Sequence, residues 1–129
     1  MNPQHNQPTP ESIMQIGTGF WASKILLSAV KFEIFTTLAD QKSMSATEIK
    51  TNLGLKCTDR NVYDYLDALT VFGFLNREGL LETATYSNSI NTDFFLDKNK
   101  PSYIGGMLER LNNRLYGFWG HLEEGLLTG

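Results

Sequence analysis

The chain has 129 residues, of which 41% are apolar and 12% aromatic, and this size and composition are those of one folded domain rather than of a disordered chain. The formal net charge of −3 provides no long-range attraction to nucleic acid or anionic lipid, and a single cysteine excludes both a disulfide framework and a cysteine-based zinc site. Because no basic start precedes an apolar run and no stretch reaches the roughly 18 consecutive apolar residues of a membrane span, we expect a cytoplasmic protein with no membrane contact.

The first third of the chain is predicted to be helical after a short tail. Residues 1–10 are polar and contain proline, and we expect them to form a disordered tail. Pro10 can open a helix, and Glu11 suits its amino end. Apolar residues recur at helical spacing over residues 13–21. Over residues 24–39 they are so dense that hardly any polar face remains, which predicts a helix buried on most sides.

A helix-turn-helix is predicted next. Ser45 can accept a hydrogen bond from the amide of Glu48 while the Glu48 side chain reaches back, which is the pattern of a capping box. Gly54 supplies a left-handed stop to this helix. A further helix begins at Thr58 and ends at Gly73, with an apolar stripe along one side. Two short helices joined by a tight turn are typical of a helix-turn-helix.

The pattern then changes from helical to extended. Residues 74–77 and 80–83, separated by an acid–glycine pair at 78–79, predict a short β-hairpin. A helix-turn-helix followed by a hairpin is the winged-helix order, so we predict a mainly α, winged-helix-like domain with long flanking helices. Residues 86–99 are expected to form a loop with one helical turn at 93–96.

A last helix is predicted from Pro101 nearly to Gly129. Its apolar residues are spaced four, three, four, three and four apart, and such a heptad-like seam implies an apolar partner along its length. Glycines within a helix cost about 1 kcal/mol each relative to alanine, so repeated glycines here indicate local bends or the close approach of another backbone. The seam consists of Ile104, Leu108, Leu111, Leu115, Phe118 and Leu122.

DNA binding is the alternative hypothesis, because winged helices usually contact DNA with the second helix of the motif. In this chain that helix carries Asp59, Asp64 and Asp67, with Arg60 as its only basic residue. Proteins that bind phosphates use several lysines or arginines, and acids in their place would repel the DNA backbone. A stand-alone winged-helix transcription regulator therefore stays the alternative, and we expect no nucleic-acid partner.

Residues for catalysis, cofactor binding or metal binding are not predicted anywhere in the chain. Gly17 and Gly19 lack the preceding strand and the third glycine of a dinucleotide loop. His121 has no second ligand at metal spacing, and Cys57 has no neighbouring base, so we predict structural roles for both. Aromatic residues concentrated in the first and last helices are candidates for an interface or a pocket, and ordinary core packing is the competing interpretation. A free-standing protein that binds a small aromatic ligand between its helices is therefore a third hypothesis for the function.

Several short stretches, taken in order, resemble one family. These are Gly19-Phe20-Trp21-Ala22-Ser23-Lys24, Ala29-Val30 with Ile34-Phe35, Ser45-Ala46-Thr47-Glu48-Ile49, Leu66-Asp67-Ala68-Leu69, Phe72-Gly73-Phe74-Leu75, Tyr86-Ser87-Asn88-Ser89, Trp119 with Leu122, and Leu127-Thr128-Gly129. Their order and spacing resemble the plant-type and bacterial O-methyltransferases, such as the caffeic acid and hydroxyindole O-methyltransferases. The resemblance covers nearly the whole chain after the tail.

The resemblance implies that residues 11–129 are a dimerisation domain whose copies intertwine in a homodimer. It implies that Phe20 and Trp21 reach toward the partner's site. Met107, Leu111 and Tyr116 would lie near the subunit's own pocket for a small, aromatic, hydroxylated acceptor. In that family a second, carboxyl-terminal domain binds S-adenosylmethionine and holds the catalytic histidine. Its glycine-rich loop, acidic ribose ligand and histidine do not occur here, so we expect methyl transfer to belong to a parent protein or partner.

Overall fold

A computed structural model describes residues 7–129, with Leu81 described for its backbone alone, and most of the predicted disordered tail lies outside the described residues. The fold is mainly helical, with a small antiparallel sheet of three strands. The helices are α1 (Glu11–Gly17), α2 (Gly19–Lys31), α3 (Ile34–Gln41), α4 (Ala46–Leu53), α5 (Asp59–Val71), α6 (Ile90–Phe95), α7 (Gly105–Arg110), α8 (Tyr116–Trp119) and α9 (Leu122–Thr128). The strands are β1 (Met44–Ser45), β2 (Leu75–Glu78) and β3 (Thr85–Asn88).

The dense apolar run at residues 24–39 is divided between α2 and α3, so the prediction of one continuous helix is wrong. The chain bends at Glu33, which adopts a left-handed conformation with a φ of 60°. The backbone N–H of Glu33 donates to the carbonyl of Val30 at 3.0 Å. The bend lets α2 and α3 each bury one side against a common core, rather than leaving one long apolar cylinder that the chain could not cover.

The two helices α1 and α2 expose much of their apolar surface. Residues 11–31 are interrupted by polar side chains, but their most apolar 18-residue window has a mean hydropathy of 1.2, and the segment is long enough to cross a membrane by length and composition alone. Only 17% of its most apolar window is buried. The described part of the chain therefore leaves an apolar surface near the amino terminus uncovered.

The predicted capping box and the following helices are confirmed. The Ser45 hydroxyl accepts from the Glu48 amide at 3.2 Å, and the Glu48 carboxylate accepts from the Ser45 amide at 3.1 Å. These hydrogen bonds lower the pKa of Glu48. Gly54 ends α4 with a φ of 67°, and Thr58 caps α5 by accepting from the amide of Asn61 at 3.2 Å. A pair of short helices joined by a tight turn is thus present.

The hairpin differs from its prediction in the second strand. β2 pairs with β3, and β1 pairs with the other edge of β3, giving the order β1-β3-β2. The predicted strand at residues 80–83 is wrong, because the chain forms a 3₁₀ turn there after Gly79, which has a φ of 87°. The alternation of buried side chains that a half-buried strand needs begins at Ala84 and continues at Tyr86.

The predicted loop over residues 86–99 contains more regular structure than expected. Its first residues complete β3, and Ser89 then caps α6 by accepting from the amide of Thr92 at 3.3 Å. The buried Thr92 hydroxyl donates to the carbonyl of Phe74 at 2.8 Å, which ties α6 to the end of the helix-turn-helix.

The long last helix predicted from Pro101 is divided into shorter pieces. The amide of Ile104 donates to the carbonyl of Phe95 at 2.9 Å, so the chain is held against the end of α6 and α7 begins only at Gly105. A π-helical turn at Leu111–Leu115 joins α7 to α8. The helical run then breaks between α8 and α9 at Gly120. Of the two interpretations of the glycine pattern, local bending therefore applies at this position.

The core lies between α2, α3, α5 and the sheet, and one polar cluster at its edge joins α5 to two strands. The hydroxyl of buried Tyr86 donates to the carboxylate of Asp67 at 2.8 Å. The guanidinium of Arg77 donates to the same oxygen at 2.8 Å. Burial, followed by the hydrogen bond to Asp67, raises the pKa of Tyr86 to about 12. A carboxylate on α5 therefore fixes the position of the hairpin.

Replacing Tyr86 with phenylalanine tests this cluster. The ring still fills its buried site, but Asp67 loses one of its two donors, and we expect the free energy of unfolding to fall by about 1 kcal/mol. Chemical denaturation followed by circular dichroism measures the change. Tyr63→Phe is the matched control, because within the described residues the Tyr63 hydroxyl makes no hydrogen bond. Equal stability losses in the two variants would contradict the assigned role of the cluster.

Candidate functional site

A cleft of about 510 Å³ lies between α2 and the carboxyl-terminal helical run. One wall comes from α2 and the other from the π-helical turn, α8 and the bend that follows. The lining is almost entirely apolar, and one serine and one tyrosine supply its two hydroxyl groups. It consists of Phe20, Ser23, Leu27, Leu111, Leu115, Tyr116, Trp119 and Gly120.

The structure brings together three of the five residues that the resemblance implies for the substrate site. Phe20, Leu111 and Tyr116 line the cleft. Trp21 and Met107 do not, and they are 58% and 64% exposed on the protein surface. The Trp21 ring packs edge-to-face on the Phe20 ring, with the centroids 5.4 Å apart.

Helical spacing could have revealed the lining residues that the resemblance does not assign to the substrate pocket. Ser23 and Leu27 lie three and seven positions after Phe20, so α2 places them on the same face. Leu115 and Trp119 follow Leu111 by four and eight positions. What the spacing does not show is that these two faces meet across the fold.

Direct contacts hold the two walls against each other. The ammonium group of Lys24 on α2 donates a hydrogen bond to the side-chain carbonyl of Asn112 in the π-helical turn. It also lies 5.0 Å from the centroid of the Tyr116 ring, within the range of a cation–π interaction. The Tyr116 hydroxyl donates to the carbonyl of Phe20 at 3.5 Å. Local π-helical turns frequently occur at functional sites, and here the turn carries one wall.

A lysine and a tyrosine outside the cleft brace its two walls. The ammonium of Lys98 lies 2.6 Å from the carboxylate of Glu33, at the end of α2, and 3.1 Å from that of Glu109 on α7. These hydrogen bonds raise the pKa of Lys98 above its ordinary value. On the core side, the Tyr65 hydroxyl donates to the carbonyl of Ile25 at 3.0 Å, and burial raises the pKa of Tyr65. The wall formed by α2 is thus attached to α5, and α7, which leads into the other wall, is attached to the turn that follows α2.

The chemistry available in the cleft is that of binding. Its lining carries hydrocarbon and aromatic groups, which can hold an apolar ligand, and two hydroxyls, which can orient one. Among the described residues there is no group of three His, Cys, Asp or Glu side chains that could hold a metal ion. His121 lies 3.4 Å from the carboxylate of Glu124 in an exposed pair. Cys57 is exposed and forms no disulfide.

In the helix that would contact DNA in a DNA-binding winged helix, two of the three acids pair with basic residues of the same domain. Asp59 pairs with Lys50 at 2.8 Å, and Asp67 pairs with Arg77 at 2.8 Å. Two basic residues near this surface are therefore neutralised by carboxylates instead of being available to phosphates. The charges that the structure places here do not form the basic surface that a DNA-binding protein needs.

A second feature of the same region is a wide exposed apolar surface. Within the described residues, α1, α8 and α9 contain no fully buried side chain. The surface continues onto the outer faces of α2 and α7. We call it the terminal apolar surface, and it consists of Ile13, Met14, Ile16, Phe20, Trp21, Ile104, Met107, Leu115, Phe118, Trp119, Leu122, Leu126 and Leu127.

Comparison with known proteins places the sequence in a family of methyltransferase domains. Residues 14–98 match the pattern of a family described as the O-methyltransferase dimerisation domain. The chain is 37% identical to the tetracenomycin polyketide synthesis 8-O-methyl transferase of Streptomyces glaucescens, over 100% of this chain and 36% of that protein. It is 30% identical to an N,N-dimethyltransferase of Streptomyces rimosus, over 92% of this chain and 32% of that protein. The chain spans about a third of the length of these relatives.

The fold is also found in solved structures. Human N-acetylserotonin methyltransferase, in complex with SAM, superposes with a TM-score of 0.82 at 19% sequence identity, and the match covers 99% of this chain and 36% of that one. At this identity the match shows a shared fold. It extends beyond residue 98, so the carboxyl-terminal helical run is part of that shared fold.

The brace formed by Lys98 is tested by Lys98→Met, which keeps a long apolar stem and removes the charge. Because both ion pairs are partly exposed, we expect a stability loss below about 1 kcal/mol. Amide hydrogen exchange in α7 should become about threefold faster as that wall opens more often. Lys56→Met, at another exposed lysine, serves as the control and should leave exchange in α7 unchanged. Unaltered exchange in Lys98→Met would show that the pairs do not hold the wall.

Proposed function

The chain belongs to the O-methyltransferase dimerisation-domain family, and from this premise we propose that it is the homodimerisation module of a SAM-dependent O-methyltransferase. In this proposal residues 11–129 act as one winged-helix-like unit. The parent enzyme methylates a small, hydroxylated, aromatic molecule in the cytoplasm. Two subunits intertwine through their first and last helices, and each helps to close a substrate pocket.

The observation that carries the proposal is the terminal apolar surface. Soluble monomers rarely expose apolar patches larger than a few hundred Å², and larger ones usually mark interfaces. Here three helices have no fully buried side chain within their own chain, and Ile16 and Trp119 are 82% and 67% exposed. Stable homodimer interfaces bury about 2,000 Å² or more and are rich in aromatic residues and methionine, which this surface also contains.

The winged-helix interpretation is supported by the order of elements. α4 and α5 form a helix-turn-helix, and β2 and β3 follow it as an antiparallel pair. The connection between the strands, residues 79–84, stands where a winged helix has its wing. In the proposed function this unit is a scaffold, because Asp59 and Asp67 are paired within the domain and the unit holds the flanking helices in place.

The cleft is proposed as this domain's share of the substrate pocket. Phe20 and Trp21 would reach toward the partner subunit, while Leu111, Tyr116 and Met107 would belong to the subunit's own pocket. Three of these five line the cleft, which supports the assignment. No residue of this chain is assigned to SAM. Gly17 ends α1 and Gly19 begins α2, so neither follows a strand and they do not fit a nucleotide-binding loop.

Light scattering at micromolar concentration tests the dimer, and the chain should have the mass of two copies. Ile16→Glu places a charge in the terminal apolar surface and should raise the dissociation constant by at least about tenfold, because the charge is desolvated on association.

Val71→Glu is the matched control, since Val71 is an aliphatic residue of similar exposure, 83%, on α5 and outside the terminal apolar surface. The control should change the dissociation constant by less than about twofold. A wild-type chain that stays monomeric, or equal weakening by both variants, would contradict the proposal.

A further inference from the structure

We propose that the cleft binds a planar aromatic ligand that carries an anionic group, and that Lys24, which contacts the lining residue Tyr116, selects for this anion. The inference rests on the proposed function, because the cleft is the one assigned above to the substrate pocket. It adds the charge of the ligand and names the residue that recognises it.

The shape and lining of the cleft fit a fused-ring molecule. Its volume of about 510 Å³ lies within the range of small-molecule sites, which are usually between about 300 and 1,000 Å³. Phe20 and Trp119 offer aromatic surfaces, on which flat π-systems pack well. The Ser23 hydroxyl adds a polar group within this lining and can meet a hydroxyl of the ligand.

Lys24 differs from the lysines and arginines that the structure places in ion pairs. Those cations are Lys50, Arg77, Lys98 and Lys100, and each contacts a carboxylate. Lys24 instead contacts the neutral amide of Asn112 and the face of Tyr116. Neither contact neutralises its charge. The bond to Asn112 uses one of the three donors of the ammonium group, so in the described part of the chain the others stay available to an anion.

The ammonium of Lys24 is also held near the ligand's place before binding. A flexible lysine normally loses rotamer freedom when it binds an anion, and contacts that order it beforehand reduce this cost. Tyr116 belongs to the lining, and Lys24 lies 5.0 Å from its ring centroid. An anionic group on a ligand beside Tyr116 is therefore within about 10 Å of the ammonium. At an ionic strength of about 0.1 M, salt largely screens charge interactions only over longer distances than this. Among the described residues, the lining contributes no carboxylate that would repel the anion.

The test is a pair of probes of equal shape, hydroxynaphthoate and the neutral hydroxynaphthamide, titrated into the isotope-labelled chain and followed by NMR. Hydroxynaphthoate should shift the amides of Ser23, Tyr116 and Gly120 and should bind about fivefold more tightly than the amide, as expected for one partly exposed charge pair. Lys24→Met should abolish this preference, and Lys24→Arg should retain it. Lys31→Met, an exposed lysine at the other end of α2, is the matched control and should also retain it.

Three results would overturn the inference. If the two probes bind equally, or if Lys24→Met keeps the preference for hydroxynaphthoate, Lys24 does not recognise an anion. If neither probe shifts the cleft residues, the cleft is not a ligand site in this chain. Light scattering on the same samples separates these failures from that of the proposed function, because a chain that dimerises without binding either probe keeps the dimerisation role and loses only the anion site.

Discussion

The organisation of this domain depends on an excess of apolar side chains over the surface available to cover them. α2, α3, α5 and the sheet enclose a core that uses the middle of the chain, and the first and last helices pack on its outside with apolar groups facing water. Burying apolar surface is the main driving force of folding and of association. Because the terminal apolar surface stays in contact with water in the single chain, covering it by association is favourable. A second copy of the chain offers the same surface in return, as a two-fold dimer requires.

Polar contacts determine where that surface lies. Asp67 fixes the hairpin to α5, Tyr65 fixes α2 to α5, and Lys98 joins the end of α2 to α7. Each contact links elements far apart in the sequence, so the two walls of the cleft are positioned by the core rather than by their own helices. This arrangement explains how a scaffold of short helices can hold a binding cleft at the edge of a proposed interface.

The local parts of the fold could be predicted from sequence, because caps and stops act within a few residues. Ser45 with Glu48, and the glycine after α4, gave correct helix boundaries. Predictions failed where contacts between elements determine the structure. The last helix begins later than predicted because Ile104 is hydrogen-bonded to the end of α6. The second strand lies where Tyr86 can be buried, and not directly after the turn as the turn residues predicted. The family resemblance predicted Phe20, Leu111 and Tyr116 for the substrate pocket, and these three line the cleft. The contact between Lys24 and Asn112 joins residues 88 positions apart, so no local signal in the sequence predicts it.

The chain contains two tryptophans, Trp21 and Trp119, and both lie in the terminal apolar surface. Their fluorescence is therefore a direct measurement of whether that surface is covered in solution. The account predicts that the emission maximum shifts to shorter wavelength as the protein concentration is raised from nanomolar to micromolar, because association removes both indoles from water. An emission maximum that stays at the long wavelength of exposed tryptophan across this range would contradict the claim that the surface is a dimer interface.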